Sequence, residues 1–336
     1  MFRSLTLLLA LAVLTSCYST HQADKIHGVN LEMPPDPIEH KHMEEVKNVH
    51  ANWVAVIPYA FTRPDQPEVR FQHAGRWWGE SVEGTAACIR LAHEANLKVM
   101  MKPHIWVAGQ GWAGDFEPHD EAGWKLWEAS NRAYILTYAH LADSLDVALF
   151  CIGTEYRKTT AKRPDYWRKL IQEVRTIYDG PVTYAANWDE YANISFWDEL
   201  DYIGVDAYFP LSTNARPSLE ELNANWQAEL TQLEALSIKL DKPVLFTEYG
   251  YRSIEYTNSG HWNYHDDTVA VSMDAQATAY EALFQSAWDK EWMAGGFFWK
   301  WHFPNRRHQH DRSNDYTPQG KKAEEVIKKW YGRIKE

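Results

Sequence analysis

Val147-Ala148-Leu149-Phe150-Cys151-Ile152-Gly153-Thr154 is an apolar run that never alternates, and it stops abruptly at Glu155. A run of this length reads as a strand buried on both faces, as in parallel sheets covered by helices. The same grammar recurs along the chain. Strands are expected at Ile26–Leu31, Trp53–Tyr59, Lys98–Trp106, Val147–Thr154, Val182–Trp188, Tyr202–Phe209, Val244–Tyr249 and Gly296–Trp301. Helical periodicity separates them, at residues 37–49, 80–95, 121–144, 164–178, 218–239 and 272–290. The fifth crossover is short, around Ile194–Leu200, and a last helix over Pro318–Ile334 has Pro near its first position. Eight strand–helix units predict an α/β fold, a (β/α)8 TIM barrel in a single domain. The alternative is a doubly wound sheet, but Gly28-Val29-Asn30-Leu31 stands where its Gly-x-Gly-x-x-Gly turn would be.

The 336 residues are 45% hydrophobic and 24% charged, with a formal net charge of −12. That composition is globular. The charge excludes nucleic acid, whose phosphates need a basic face, and disfavours an anionic membrane surface. A neutral polysaccharide or oligosaccharide is the partner class it penalises least. At the N-terminus, Arg3 precedes the apolar run Leu5–Leu14, too short to span a bilayer but of signal-peptide length. Leu14-Thr15-Ser16-Cys17 then looks like a bacterial lipobox. Residues 1–16 are therefore expected to be a lipoprotein signal peptide, 17–25 a tether lipidated at Cys17, and 26–336 the catalytic domain. The chain would be an exported, membrane-anchored lipoprotein, periplasmic or at the cell surface. The remaining cysteines, Cys88 and Cys151, fall in a helix pattern and an apolar strand and are expected to be buried thiols.

In a barrel of this kind the reactive groups stand at the C-terminal strand ends. Those ends are polar or aromatic here, while the upstream halves are Val, Ile, Leu, Phe and Ala. Two carboxylates qualify: Glu155 in Gly-Thr-Glu-Tyr after strand four, and Glu248 in Thr-Glu-Tyr-Gly after strand seven. Glycoside cleavage needs such a pair, one to protonate the leaving oxygen and one to attack or activate water. About 5–5.5 Å between them gives retention, and about 6.5–9.5 Å gives inversion. A lone Glu after a strand is equally well a favourable charge at a helix N-terminus. Two in matching contexts on opposite strands point to chemistry.

Several segments resemble glycoside hydrolase family 113. They are Phe246-Thr247-Glu248-Tyr249-Gly250-Tyr251-Arg252-Ser253, Lys102-Pro103-His104-Ile105-Trp106 with Gly111-Trp112-Ala113-Gly114, Ile152-Gly153-Thr154-Glu155, and Tyr202-Ile203-Gly204-Val205-Asp206-Ala207-Tyr208. The resemblance runs from Ile26 to Trp301. It implies a retaining endo-β-1,4-mannanase with Glu155 as acid/base, Glu248 as nucleophile, and neither metal nor organic cofactor. One departure stands out. Many members of the wider clan place Asn before the acid/base, to bond the sugar 2-hydroxyl, and this chain has Thr154. Asn187 is a candidate substitute. Glu155 is expected to be protonated before attack, and Glu248 to stay ionised with help from the Tyr208 hydroxyl.

Trp106, Trp112, Trp188, Trp299 and Trp301 fall at or beyond strand ends and are candidates to stack on sugar faces. Lys102, His104, Asn187 and Asp206 are candidates to bond hydroxyls. Strand parity predicts that Asp206 and Tyr208 face one way, and likewise Trp299 and Trp301. Trp53, Trp167, Trp226, Trp288 and Trp330 read as core. His302, His308, His310 and Asp311 lack the spacing of a metal site and read as a solvated loop after strand eight, and His261–Asp267 reads as a loop over the site rather than as ligands. Two other readings stay open: a hydrolase of another β-glycan (glucan, xylan or galactan), and a non-catalytic glycan-binding lipoprotein on the same barrel.

Overall fold

The computed structural model describes residues 25–72, 75–260, 268–303 and 312–333. The signal peptide, Cys17, His261–Asp267, His308, His310 and Asp311 lie outside them. Eight parallel strands close into a barrel, each short and almost wholly buried. In chain order they are β1 (Ile26–Leu31), β2 (Trp53–Val56), β5 (Lys98–Met101), β7 (Leu149–Thr154), β8 (Val182–Asn187), β9 (Ile203–Asp206), β10 (Val244–Tyr249) and β11 (Met293–Trp301). Closure is made by β1, which pairs with both β2 and β11. Helices α1 (His40–Lys47), α2 (Val82–Glu94), α3 (Glu121–Ser144), α4 (Arg157–Lys162), α5 (Pro164–Arg175), α6 (Leu219–Leu240), α7 (Met273–Leu283) and α8 (Lys322–Tyr331) surround it. The (β/α)8 barrel is the expected one.

Two expected strands are broken. Trp53–Tyr59 and Lys98–Trp106 each stop early, at Val56 and Met101, and resume as β3 (Tyr59–Arg63) and β6 (His104–Val107). Pro58 and Pro103 sit at the breaks, where the lack of an N–H interrupts the ladder. The resumed segments pair with each other, Tyr59 opposite His104 and Phe61 opposite Trp106. With β4 (Gln66–Arg70) they form a three-stranded sheet distinct from the barrel. This extension carries Tyr59, His104, Ile105 and Trp106 to the mouth.

Other boundaries moved for local reasons. A short helix, α4, follows Glu155 directly, and Pro164 at the first position of α5 restarts the helix. The last helix begins at Lys322 rather than Pro318, because Thr317 and Gln319 are engaged with Asp315 and His302. The helix after β10 ends in a π-helical turn, Phe284–Trp288. The fifth crossover holds only single turns, at Tyr191–Asn193 and Trp197–Glu199. Cys88 and Cys151 are buried free thiols.

Most of the aromatic surplus is core. Trp167, Trp226, Trp288 and Trp330 are buried, and Trp53 packs half-buried against them. Under the fourth and fifth strands Trp167 touches Trp127, Tyr156, Tyr184 and Phe196, with ring centroids 5.5–6.2 Å apart. Trp167→Ala should cost about 3–5 kcal/mol. Chemical denaturation will read this as a lower midpoint with an unchanged slope.

Candidate active site

The strand ends converge on a cavity of about 500 Å3. Its wall includes both candidate carboxylates, with His104, Trp106, Trp112, Thr154, Asn187, Trp188, Tyr208 and Trp299. Ligand pockets of this size are typical.

Glu248 is the last-but-one residue of β10, and both of its oxygens accept. Oε1 takes Lys102 Nζ at 2.5 Å, and Oε2 takes the Tyr208 hydroxyl at 2.7 Å. Burial and then the Glu248 charge raise the Tyr208 phenol well above its usual range, so it stays a donor. Gly250 lets β10 run close to β11, since a Cβ there would lie 2.5 Å from the Trp299 carbonyl.

Lys102 and Asp206 require a correction. Neither lines the cavity; both side chains are fully buried beneath it. Lys102 sits at the break before Pro103, and its ammonium also lies 3.5 Å from Asp206 Oδ1 and 3.3 Å from the Thr247 carbonyl. Burial alone would lower the Lys102 pKa, but Asp206 and Glu248 overcome it and raise it. Burial and the Glu248 charge push Asp206 upward, against Lys102 and the Thr247 hydroxyl at 2.7 Å. Lys102 holds Glu248 from below, and Asp206 in turn engages Lys102 and the Thr247 hydroxyl. Parity failed for Asp206 and Tyr208 because β9 ends at Asp206, after which the backbone leaves the strand.

His104 stacks on Trp299, rings parallel at 6.0 Å. Burial and then Lys102 hold its pKa well below the usual value, so the imidazole is neutral. Its Nε2 is 3.6 Å from Glu248 Oε1, too long for a hydrogen bond, and has no partner. Lys300 lies 5.4 Å over the Trp299 ring and pairs with Glu32 at 2.7 Å; the Trp299–Lys300 peptide is cis. Burial would raise Glu32, but His302 and Lys300 outweigh it and lower it to about 2. His302 thus bonds a carboxylate on β1's end. Trp301 is the second correction. It is buried against Phe298, away from the cavity, because the β1–β11 register shifts so that Asn30 faces Trp299 while Leu31 faces Trp301.

Glu155 stands just beyond β7 in a left-handed conformation, φ 56°. That costs a residue with a Cβ about 1–2 kcal/mol. Two amides hold it: Glu155 N–H donates to the Ala185 carbonyl at 2.8 Å, and Tyr156 N–H to the Tyr184 hydroxyl at 2.7 Å. The Glu155 carboxyl accepts from Trp112 Nε1 at 2.6 Å. Burial, then the Asp206 and Glu248 charges, hold its proton well above the ordinary carboxylate range, against the opposing Trp112 bond. Arg157 covers the Trp112 ring at 4.6 Å and is fixed by Asp115 at 2.8 Å and Asp189 at 3.1 Å. Asn187 bonds Asp189 at 3.0 Å, and Thr154 Oγ1 is buried without a partner.

Tyr59, Arg157, Asp189 and Tyr316 also line the cavity and were missed. Arg157 lies three residues and Asp189 one residue past an expected strand end, a signal that was available. Tyr316 comes from the segment before α8 and carried none. Among the described residues, no group of three or more His, Cys, Asp or Glu is placed to hold a metal ion.

The sequence profile of Glycoside Hydrolase Family 113 matches residues 36–321. A family 113 β-mannanase from Alicyclobacillus acidocaldarius, solved in complex with ManMIm, superposes with a TM-score of 0.80 at 26% identity, over 92% of this chain and 97% of that one. A family 113 β-1,4-mannanase complex gives 0.78 at 26%, over 93% and 100%. A β-glucuronidase from Ruminococcus gnavus shares the fold alone, at 0.61 and 16% over 90% of this chain and 49% of that one. No curated protein sequence matches. The profile spans most of the chain, and the barrel and its mouth agree with it: the protein is a glycoside hydrolase and belongs to Glycoside Hydrolase Family 113.

Proposed function

We propose that the protein hydrolyses β-1,4-linked mannan or manno-oligosaccharides with retention, through a covalent glycosyl-enzyme. The observation that carries this reading is the unequal bonding of two carboxylates in one cavity of a family 113 barrel. Glu155 keeps its proton and has a single donor, so it serves as the acid toward the leaving oxygen. Glu248 is gripped on both oxygens, which fixes the attack direction on the anomeric carbon. Once the intermediate forms, Glu155 has given up its proton and activates water as a base. The two full-length β-mannanase likenesses support mannan as substrate. Trp299, Trp106, Trp112 and Trp188 offer rings to sugar faces, and the unpartnered His104 Nε2 and Thr154 Oγ1 are placed to be satisfied by hydroxyls. No cofactor is invoked.

We also infer that the chain is an exported bacterial lipoprotein held at a membrane, periplasmic or cell-surface, through Cys17, as Leu14-Thr15-Ser16-Cys17 suggests. Cys17→Ala should move the protein from the membrane to the soluble fraction of the producing cell. An unchanged distribution removes the anchor.

A panel of mannan, glucan, xylan and galactan tests the substrate, and proton NMR of the first-formed anomer tests retention. Glu155→Ala should lower kcat on mannan about 10²–10⁴-fold, and Glu248→Ala at least as much. Wild-type rates in either variant would remove the assignment.

Acid catalysis predicts a sign. The alkaline limb of kcat/KM follows loss of the Glu155 proton in the free enzyme. The Trp112 bond favours the carboxylate, so Trp112→Phe, which removes it, should move that limb to higher pH. A move to lower pH contradicts the role given to Glu155.

A further inference from the structure

Glu190 follows β8 and is buried, with only 3% of its surface exposed. It is not in the lining of the cavity that holds Glu155 and Glu248, yet it is a carboxylic acid in an interior where an apolar residue would fill the space without a desolvation cost. Its Oε1 accepts the Tyr184 hydroxyl proton at 3.1 Å, and its Oε2 is buried without a partner. The Tyr184 oxygen in turn accepts the Tyr156 N–H at 2.7 Å. A phenol has one proton to give. Donating it to Glu190 turns the oxygen's lone pairs toward the Tyr156 amide, the peptide unit that follows Glu155.

We propose that Glu190 and Tyr184 are positioning residues for the acid/base: the Glu190 acceptor orients the Tyr184 hydroxyl, which pins the Tyr156 amide and so holds the left-handed backbone that aims Glu155. The proposal rests on the reading of Glu155 as acid/base. Without Tyr184's oxygen the Tyr156 amide loses its acceptor, and the turn is held by the Glu155 amide on Ala185 and by the Tyr156 carbonyl, which accepts from the Thr160 N–H at 2.9 Å and the Thr159 hydroxyl at 3.1 Å. The Glu190 charge acts on the same group from a distance. Burial pushes its carboxyl up to about 7, with Asp189 on its own turn adding to the rise and Arg157 from α4, Tyr184 from β8 and the Asn187 backbone opposing it. When ionised, Glu190 disfavours ionisation of Glu155 and raises its pKa. The acid is thereby kept protonated where it would begin to lose its proton.

The test uses Tyr184→Phe, Glu190→Met and Glu190→Gln in the full chain. Tyr184→Phe and Glu190→Met should lower kcat about 10–100-fold, the scale of a misplaced reacting group, with KM nearly unchanged. Glu190→Gln keeps an acceptor oxygen and should recover most of the kcat lost in Glu190→Met. It should also shift the alkaline limb to lower pH, because the charge is gone. Hydrogen exchange of the peptide spanning residues 154–157 should speed up in Tyr184→Phe and Glu190→Met, a readout independent of turnover. A lower melting temperature with kcat, pH profile and exchange at wild-type values overturns the relay and leaves only packing. If wild type turns over no glycan, the proposed function fails, and unchanged exchange at 154–157 then sinks the relay separately.

Discussion

A buried ammonium organises the mouth of this barrel. Lys102 has no exposed side-chain surface, and an unpaired charge there would cost several kcal/mol. It is tolerable only because Glu248, Asp206 and the Thr247 carbonyl surround it. That requirement runs in both directions. The cation dictates where the Glu248 carboxyl points, and its charge adds to the burial that keeps the neighbouring His104 imidazole neutral. The barrel break at Pro103 is what delivers Lys102 to this depth while sending His104 up into the cavity wall. Such a network is weak evidence for stability, since a well-packed apolar set of equal volume often does as well. Its value lies in geometry.

The other carboxylate is treated differently. Among the described residues no ion pair joins Glu155 to a cation. Arg157 stacks on the Trp112 ring, with both its partners already carboxylates, Asp115 and Asp189. Trp112 thus gives Glu155 one neutral hydrogen bond from its ring edge while its face carries the Arg157 guanidinium. Two chemically identical side chains in one cavity thus have different surroundings, Glu248 a cation and a phenol, Glu155 an indole N–H.

The barrel was legible because strands buried on both faces leave uninterrupted apolar runs, and eight of them are hard to misread. Glu155 and Glu248 were legible because each ends such a run. Depth was not. A strand-end position says that a residue is near the mouth, but Lys102 and Asp206 lie one layer beneath it, and that difference is set by a proline break and by where β9 ends. Parity misplaced Trp301 for a related reason, since a register shift between β1 and β11 re-aims every residue after it. Arg157 opens the short helix α4, and Asp189 and Tyr316 sit on a turn and a bend, where no period reports direction. Of the five tryptophans expected to face sugar, four line the cavity, and most of the others fill the space between barrel and helices.

The core and the site are nonetheless one structure below Glu155. Its left-handed backbone is unfavourable by itself, so something must over-determine it. Tyr156, the next residue, is buried between Trp127 and Trp167, and its amide ends on Tyr184, which packs on Trp167 and Phe196. The aromatic cluster therefore does more than exclude water. It packs the residue after the carboxylate between Trp127 and Trp167 and supplies, through Tyr184, the acceptor for that residue's amide. A glycine at position 155 would relieve the strain but carry no acid, so the backbone cost is inseparable from having a carboxyl there. The large rings beneath β7 and β8 are the mass that makes that cost affordable.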